Sequence, residues 1–198
     1  MKHILQGLLP ILFLTALTFF LILLHINFWL FNIYLLLFIF ILLLILSAIW
    51  PPESPWAPWW RTDRKHANAI VKFGNIKKGS VVYDLGCGDG EVLIASAKVG
   101  AVGVGIEIDP LRFWIAKIRA KQKGVSKNLK FIRGSFHDYD ISEANVVIVY
   151  LIPKTLNRLL PKFKKELKKG TKIVSYRYEM EIKPTKVDKD NELFLYTI

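Results

Sequence analysis

The stretch that decides the fold is VVYDLGCGDG, residues 81–90. Its first half is mostly apolar and predicts a buried strand, and three closely spaced glycines then predict a tight turn before an amphipathic helix. Glycine has no Cβ, so the backbone can bend sharply and approach a ligand closely, and the first N–H groups of the next helix are unpaired. This arrangement indicates a nucleotide-type site. The turn residues predicted to line it are Gly86, Cys87, Gly88, Asp89 and Gly90.

On either side of this stretch, strands and helices are predicted to alternate from Ser80 to the end of the chain. Alternation of this kind predicts an α/β fold with a parallel sheet. The predicted strands lie in residues 80–86, 101–109, 128–134, 143–150 and 171–179, followed by a short hairpin turning near Asp190-Asn191. The core domain is therefore placed at residues 80–198. A proline-rich linker and a leading helix, capped by Thr62 or Asp63, occupy residues 51–79.

Two carboxylates support the nucleotide-type site. Glu107 ends the second predicted strand about 20 residues after the glycines, where a carboxylate can accept hydrogen bonds from ribose hydroxyls. Asp84 ends the first strand, and the spacing G-x-G-x-G differs from the dinucleotide pattern G-x-G-x-x-G. A pyrophosphate would be repelled by Asp84, whereas a sulfonium with an ammonium group would be stabilised there. These charges favour S-adenosylmethionine over NAD.

YDLGCGDG followed by VGIEID resembles the class I methyltransferases, which implies a Rossmann-like, doubly wound, seven-stranded sheet with an antiparallel last strand. Together with NVVIVYLIP and LPKFKKELKKGTKIVSYRY, these motifs resemble the small membrane-anchored protein-lysine methyltransferases of ATP synthase c subunit and adenine nucleotide translocase. The resemblance places Asp84, Gly86, Gly88 and Gly90 around the methionine portion of the cofactor, Glu107 on the ribose and Ile108 beside the adenine.

The chain departs from this family at three points. Glu91 stands where the family usually has Arg, Ser135 stands where an adenine-side Asp is common, and two predicted spans replace one. Ser135 and its neighbour Phe136 are nevertheless included in the predicted cofactor-binding set. These departures affect the identity of the substrate more than that of the cofactor.

Several residues have plainer alternative interpretations. Cys87 is favoured as a small buried residue within the turn, and Asp89 is assigned equally to cofactor contact or to capping the next helix. Asp109, followed by Pro110, is favoured as a helix cap. Phe113 and Trp114 are expected in the core.

The first 50 residues predict a membrane anchor. From residue 3 to residue 52 there is no Asp, Glu, Lys or Arg. A single span needs about 20 apolar residues, so we expect two helices, at about 4–24 and 28–49, separated by a break at His25-Ile26-Asn27. A cleavable signal peptide and one long tilted span with a re-entrant piece are the alternatives.

Charge predicts the orientation and surroundings of the chain. Lys2 precedes the first predicted span and basic residues follow the second, so both termini and the catalytic domain are expected in the cytoplasm. Residues 51–198 carry 27 basic and 16 acidic side chains, a formal charge of +11, which favours contact with the lipid bilayer over nucleic acid. Trp50, Trp56, Trp59 and Trp60 are expected to form an interfacial belt.

The function that this sequence favours is methyl transfer from S-adenosylmethionine to a lysine of a membrane protein. Methylation of a lipid or quinone-type molecule, and a non-catalytic nucleoside-binding module, are the alternatives. Tyr150 follows the fourth strand at the edge where open α/β sheets bind ligands, and is the candidate for positioning the acceptor amine. No metal is implied, because there is one cysteine and the four histidines lack ligand spacing.

Overall fold

The computed structural model describes the backbone of residues 2–49 and 60–198, and the side chains of residues 13–45 and 60–198. Its contacts divide the chain into two compact units, Met1–Ser47 and Ala48–Ile198. The proline-rich linker and three of the four tryptophans assigned to the interfacial belt (Trp50, Trp56, Trp59) lie outside the described residues.

The first unit is one continuous helix, α1, spanning Lys2–Ile49. At 1.5 Å per residue its 48 residues extend roughly 72 Å. The predicted hairpin is therefore wrong, because no turn interrupts the helix at residues 25–27. At the predicted break the His25 side chain bonds within the helix, since the Trp29 indole donates to His25 Nε2 (2.6 Å). Further along, Asn32 donates to the Phe28 carbonyl (2.7 Å) in the same way. Neither Gly nor Pro stands at the proposed break, so nothing in the backbone opposes a helix.

By length and composition, α1 is able to cross a membrane. Its stretch Phe13–Ile45 is strongly apolar and none of it is buried against other parts of the chain. A signal sequence near the N-terminus would meet the same criteria. With a single helix, the prediction that both termini share the cytoplasmic side loses its basis, since that prediction required a second span.

The second unit is built on a seven-stranded mixed sheet, as predicted. Its strands follow the order β3-β2-β1-β4-β5-β7-β6. The first five strands are parallel, and β7 runs antiparallel to both β5 and β6. Their bounds are β1 Val81–Leu85, β2 Val102–Glu107, β3 Leu129–Arg133, β4 Val146–Val149, β5 Lys172–Tyr176, β6 Lys186–Asp188 and β7 Leu193–Thr197. The predicted turn at Asp190-Asn191 joins β6 to β7.

Four helices accompany the sheet: α2 Arg64–Phe73, α3 Glu91–Lys98, α4 Pro110–Gln122 and α5 Pro153–Glu166. Two predicted caps are confirmed. Asp63 accepts from the His66 N–H at the start of α2, and Asp109 accepts from the Arg112 N–H at the start of α4. A side-chain oxygen at this position satisfies one of the helix's otherwise unpaired donors.

Two apolar clusters form the core. One contains Ile70 of α2, Leu93 of α3 and Val82 of β1, and the other contains Leu85 of β1 and Phe163 of α5. Neighbouring residues of β1 belong to different clusters because successive strand side chains point to opposite faces of the sheet. The expectation that Trp114 lies in the core is wrong.

Trp114 is 55% exposed, and Leu111 and Ile118 on the same helix are also exposed. Their spacing of three and four residues places them on one face of α4. The Lys117 ammonium lies 4.8 Å from the centroid of the Trp114 ring. This face of α4 is thus apolar and basic at once.

Candidate functional site

The carboxyl ends of β1, β2 and β4 meet at one edge of the sheet, and the glycine turn leaves β1 there. Leu85 is paired with Ile106 on one side and with Val149 on the other. Gly86, Gly88 and Gly90 all have positive φ, at 82°, 54° and 77°. Such angles are strained for residues with a Cβ, which explains three glycines in five residues. The backbone of the turn therefore crosses the sheet edge in a left-handed conformation, which glycine adopts without strain.

Glu107 is tied to the turn by its backbone partners. Its two carboxylate oxygens accept from the N–H groups of Gly88 (2.8 Å) and Asp109 (2.9 Å). Burial raises the pKa of Glu107, and these two hydrogen bonds oppose the rise. Each carboxylate oxygen has a second lone pair, so both can accept a further bond from a ligand hydroxyl.

Asp84 is buried at the end of β1 and is 5% exposed. Its pKa is raised to about 8, first by burial and then by the nearby Glu107 and Asp89 carboxylates. A buried carboxylate without a cationic neighbour is unfavourable in its charged form. A cationic ligand at this point would supply the missing charge.

Asp89 lies in an ion-pair cluster. Its carboxylate pairs with Arg61 Nε (2.8 Å) and with the Arg119 guanidinium, which also pairs with Glu91. The capping alternative for Asp89 is wrong, because the N-cap of α3 is Gly90 and no side chain bonds there. Glu91, which departs from the related family, is thus paired with a basic residue on α4.

Cys87 is packed within the turn. Its side chain is buried, and burial raises the pKa of the thiol well above its usual value, so the thiolate is disfavoured. A Cβ at Gly105 of β2 would lie 2.7 Å from Cys87 Sγ and 2.6 Å from Leu93 Cδ1. Contact this close indicates that Cys87 fills space between the turn and β2.

The remaining predicted residues lie beyond β2 and β3. The Gly134 N–H donates to the Glu107 carbonyl at 3.0 Å, which brings the segment after β3 to the end of β2. Ile108, Ser135 and Phe136 are half-buried there. The Ser135 hydroxyl accepts from the His137 N–H at 3.3 Å. These three residues therefore share an edge of the sheet with Glu107.

Tyr150 lies on the other side of the turn, at the end of β4. Its ring centroid is 4.6 Å from that of Tyr176, 6.2 Å from Trp60 and 6.3 Å from Tyr178. The Arg177 guanidinium carbon lies 5.9 Å from the Tyr150 ring centroid. Burial raises the pKa of Tyr150, whereas Arg177 lowers it.

Sequence reasoning missed Trp60, Tyr176, Arg177 and Tyr178 as parts of this edge. Trp60 was assigned to a membrane belt, yet its ring lies beside Tyr150 and Tyr178. The available signal was the run SYRY at the end of the fifth predicted strand, where aromatic residues reach the same edge as Tyr150. Among the described residues, no group of three or more His, Cys, Asp or Glu side chains is placed to hold a metal ion.

Comparison with known proteins identifies the family. Residues 84–186 match the model of the ANTKMT methyltransferase domain. A protein-lysine N-methyltransferase of Saccharolobus islandicus is 34% identical over 156 residues, which cover 74% of this chain and 95% of that relative. The ATP synthase c-subunit lysine N-methyltransferase of Homo sapiens is 30% identical over 121 residues, covering 61% of this chain and 52% of the human protein. The chain thus spans about half the length of the human relative.

Solved structures agree with this assignment. An RNA methyltransferase from Salinibacter ruber in complex with S-adenosyl-L-homocysteine has 36% sequence identity and a TM-score of 0.68, covering 70% of this chain and 94% of that one. A methyltransferase from Geobacter sulfurreducens, also with S-adenosyl-L-homocysteine, has 25% identity and a TM-score of 0.51, over 56% of this chain and 47% of that one. Fold, motif and relatives converge: the chain belongs to the ANTKMT methyltransferase-domain family, and it is an S-adenosylmethionine-dependent methyltransferase of the protein-lysine methyltransferase group.

Proposed function

We propose that this protein is anchored in a membrane by α1 and methylates a lysine of a membrane protein, using S-adenosylmethionine. The observation that carries the proposal is the presence, in one chain, of a long uncharged helix and a lysine-methyltransferase domain. An anchor confines enzyme and substrate to the same surface, which raises their effective concentration. The acceptor named for the human relative, a component of ATP synthase, is consistent with a substrate of this kind.

The cofactor site proposed here is the edge formed by β1, β2 and β3. Glu107 would bind the ribose hydroxyls through its free lone pairs, and Asp84 would face the cationic methionine portion. The turn residues Gly86, Cys87, Gly88, Asp89 and Gly90 would line that portion, with Ile108, Ser135 and Phe136 around the adenine. The buried acid pair fits the ligand, since a sulfonium and an ammonium group would stabilise the ionised form of Asp84, which burial disfavours in the free protein.

When bound, S-adenosylmethionine supplies an electrophilic methyl group on a positively charged sulfur. The chain's task is to hold a neutral lysine nitrogen in line with that methyl, and correct alignment alone can provide a large part of the acceleration. The lysine ammonium would first lose one proton to solvent. The neutral nitrogen would then take the methyl group as the bond from that methyl to sulfur breaks. No residue is assigned as a general base.

We further propose that the catalytic domain lies on the cytoplasmic side. Arg61, Arg64 and Lys65 follow α1, whereas Lys2 alone precedes its apolar stretch, and basic residues concentrate on the cytoplasmic side of a span. The formal charge of +11 on residues 51–198 favours contact with anionic lipid. Exposed Trp114 beside Lys117 is a combination suited to the membrane interface.

The decisive experiment places the full chain in lipid nanodiscs with radiolabelled S-adenosylmethionine and total membrane protein. Labelled protein is digested and the modified residue is identified by mass spectrometry. We expect methyl-lysine in membrane proteins, and higher rates when acceptor and enzyme share a disc than when they occupy separate discs. Glu107→Ala serves as the control that cannot use the cofactor.

Three outcomes would count against the proposal. Label in the lipid fraction, with none in protein, would establish the lipid or quinone-type alternative. Label in added RNA and not in protein would favour the activity named for the Salinibacter ruber relative, for which the basic charge of residues 51–198 is also suitable. Equal rates in shared and separate discs would remove the role assigned to the anchor.

A further inference from the structure

We infer that Trp60, Tyr150 and Tyr176 form an aromatic cage that binds the alkylammonium group of the acceptor lysine and of its methylated products, and that Arg177 fills this cage in the free enzyme. This inference rests on the proposed lysine acceptor. It adds the location of the acceptor site and the identity of the group that must leave it.

The rings come together from three separate segments. Trp60 precedes α2, Tyr150 follows β4 and Tyr176 ends β5. Val149 is paired with Ser175, so the two tyrosines that follow them lie side by side, with ring centroids 4.6 Å apart. Tyr178 stacks on both Trp60 and Tyr150, each with centroids 6.3 Å apart and planes within 29°. This backing holds two of the three cage rings in place.

A cation already lies within reach of all three rings. The Arg177 guanidinium carbon lies 5.8 Å from the Tyr176 ring centroid and 5.9 Å from those of Trp60 and Tyr150. A cation at this distance from several aromatic rings is attracted by their electron-rich faces. Aromatic cages of this composition are used to recognise quaternary ammonium groups and methyl-lysine. The cage is therefore chemically matched to a lysine acceptor and its products.

Arg177 is held in the cage by unusual local structure. Its φ is 70°, in the left-handed region that residues with a Cβ rarely adopt. Its N–H donates to the Glu192 carbonyl at 2.7 Å, and its Nε pairs with the Glu192 carboxylate at 3.3 Å. Strain of this kind persists only where the surroundings favour it, and it is often found at binding sites. The side chain of Arg177 remains 42% exposed, so it can leave the rings for solvent.

The cage adjoins the proposed cofactor site. Tyr150 directly follows Val149, which is paired with Leu85, the residue before Gly86. Arg61, next to Trp60, reaches Asp89 of the glycine turn at 2.8 Å. The segment at residues 60–61 thus contacts the aromatic rings with one side chain and the glycine turn with the next. An ammonium group in the cage would lie beside the methionine portion of the cofactor.

The test is calorimetric titration of the full chain in detergent micelles with Nα-acetyl-Nε-trimethyl-lysine amide. A neutral isostere, in which a tert-butyl group replaces the trimethylammonium group, is titrated in parallel. We expect the charged probe to bind at least tenfold more tightly than the neutral one. Trp60→Ala should weaken binding of the charged probe at least tenfold. Arg177→Gly, which suits a positive φ, should strengthen it three- to tenfold because the resident cation is gone.

Trp114→Ala is the matched control, since it removes an exposed tryptophan from α4, and it should leave probe binding unchanged. Binding of S-adenosylhomocysteine to every variant verifies that the domain is folded. Equal binding of the charged and neutral probes, or no gain in Arg177→Gly, would overturn the cage. If Trp60→Ala binds neither the charged probe nor S-adenosylhomocysteine, the variant is not folded. The cage is then tested by Arg177→Gly and by the comparison of the charged and neutral probes.

Failure of the cage can be told apart from failure of the proposed function. If the wild-type chain methylates lysine but does not prefer the charged probe, the cage alone is wrong. If the charged probe is preferred but label enters only lipid or RNA, the cage stands as a cation site and the lysine acceptor is wrong.

Discussion

Asp84 and Glu107 are positioned within one strand–turn–helix–strand unit, whereas Tyr150 meets rings from segments as far apart as residues 60 and 178. We refer to Asp84, Asp89 and Glu107 as the acidic side of the sheet edge and to Trp60, Tyr150 and Tyr176 as the aromatic cage. The acidic side is buried, and Glu107 within it is tied to two backbone N–H groups. The cage includes the half-exposed Trp60 and holds a side chain that is able to leave.

The difference in burial between the two sides suits one sheet edge that binds two ligands. The same cofactor is bound in every turnover, which favours a rigid, preorganised site. In such a site the entropy cost of ordering the binding residues is already met when the protein folds. An acceptor side chain must enter and leave, which suits exposed rings and a displaceable cation. The predictions that follow test whether the two sides act independently.

The largest expected effect is at Glu107. Glu107→Ala removes both oxygens that would bind the ribose and leaves the Gly88 and Asp109 N–H groups without their acceptor. S-adenosylmethionine binding, measured by calorimetry, should fall at least 100-fold, while the charged lysine probe still binds. Glu107→Gln keeps one oxygen acceptor and should retain part of the affinity. Equal affinity in wild type and Glu107→Ala would remove Glu107 from the cofactor site.

Asp84→Asn should weaken the binding of S-adenosylmethionine at least tenfold. The same substitution should stabilise the free protein. The pKa of Asp84 is about 8 when folded against a usual 3.8, so between these pH values the folded chain keeps a proton that the unfolded chain has lost. Stability therefore falls as pH rises through this window, and the neutral amide avoids the loss. Thermal unfolding at pH 5–9 should show a Tm gain that grows up to about pH 8 and then levels off.

The binding of S-adenosylmethionine to wild type should itself depend on pH. Its cationic portion needs the ionised carboxylate, so affinity should rise as pH approaches 8 and then level off, with a proton released on binding. Calorimetry in buffers of different ionisation enthalpy measures that proton. A flat profile in wild type, identical to that of Asp84→Asn, would mean that Asp84 does not face the cation.

A smaller effect is expected at Gly105, which supports the acidic side from β2. A Cβ there would lie 2.6 Å from Leu93 Cδ1 and 2.7 Å from Cys87 Sγ. Overpacking of this kind costs about 1–3 kcal/mol, so Gly105→Ala should lower Tm by several degrees. Adding Cys87→Ala should recover part of the loss, since it removes one of the two clashes. No recovery would show that Leu93 alone limits the space.

The smallest effect is expected from Tyr150→Phe. The ring, and not the hydroxyl, makes the contacts with Tyr176, Trp60 and Arg177. Phenylalanine keeps the ring, so S-adenosylmethionine affinity should be unchanged and the KM for the lysine acceptor should change less than threefold. Tyr150→Ala should raise that KM considerably more. Similar KM values for the two variants would assign the role to the hydroxyl instead.

Much of the catalytic unit could be predicted from sequence because its signals are local. Alternating strands and helices predicted the sheet, and Asp63 and Asp109 were identified as caps from their positions before apolar helices. The helical hairpin was predicted wrongly because polar residues were taken as a break. His25 instead accepts a hydrogen bond inside α1 from Trp29, one helical turn away.

Local sequence patterns were enough to predict the doubly wound sheet, the glycine turn and its two carboxylates, because each strand, helix and turn has its own signal over a few residues. Three features depend on the folded chain: the ion pairs of Arg119 with Asp89 and Glu91, the exposure of Trp114, and the contact of Arg177 with the rings of Trp60, Tyr150 and Tyr176. Arg119 lies 30 and 28 positions from its partners Asp89 and Glu91, and Trp60 lies 90 positions from Tyr150. Which distant side chains meet depends on strand order and helix packing, and no local pattern encodes either.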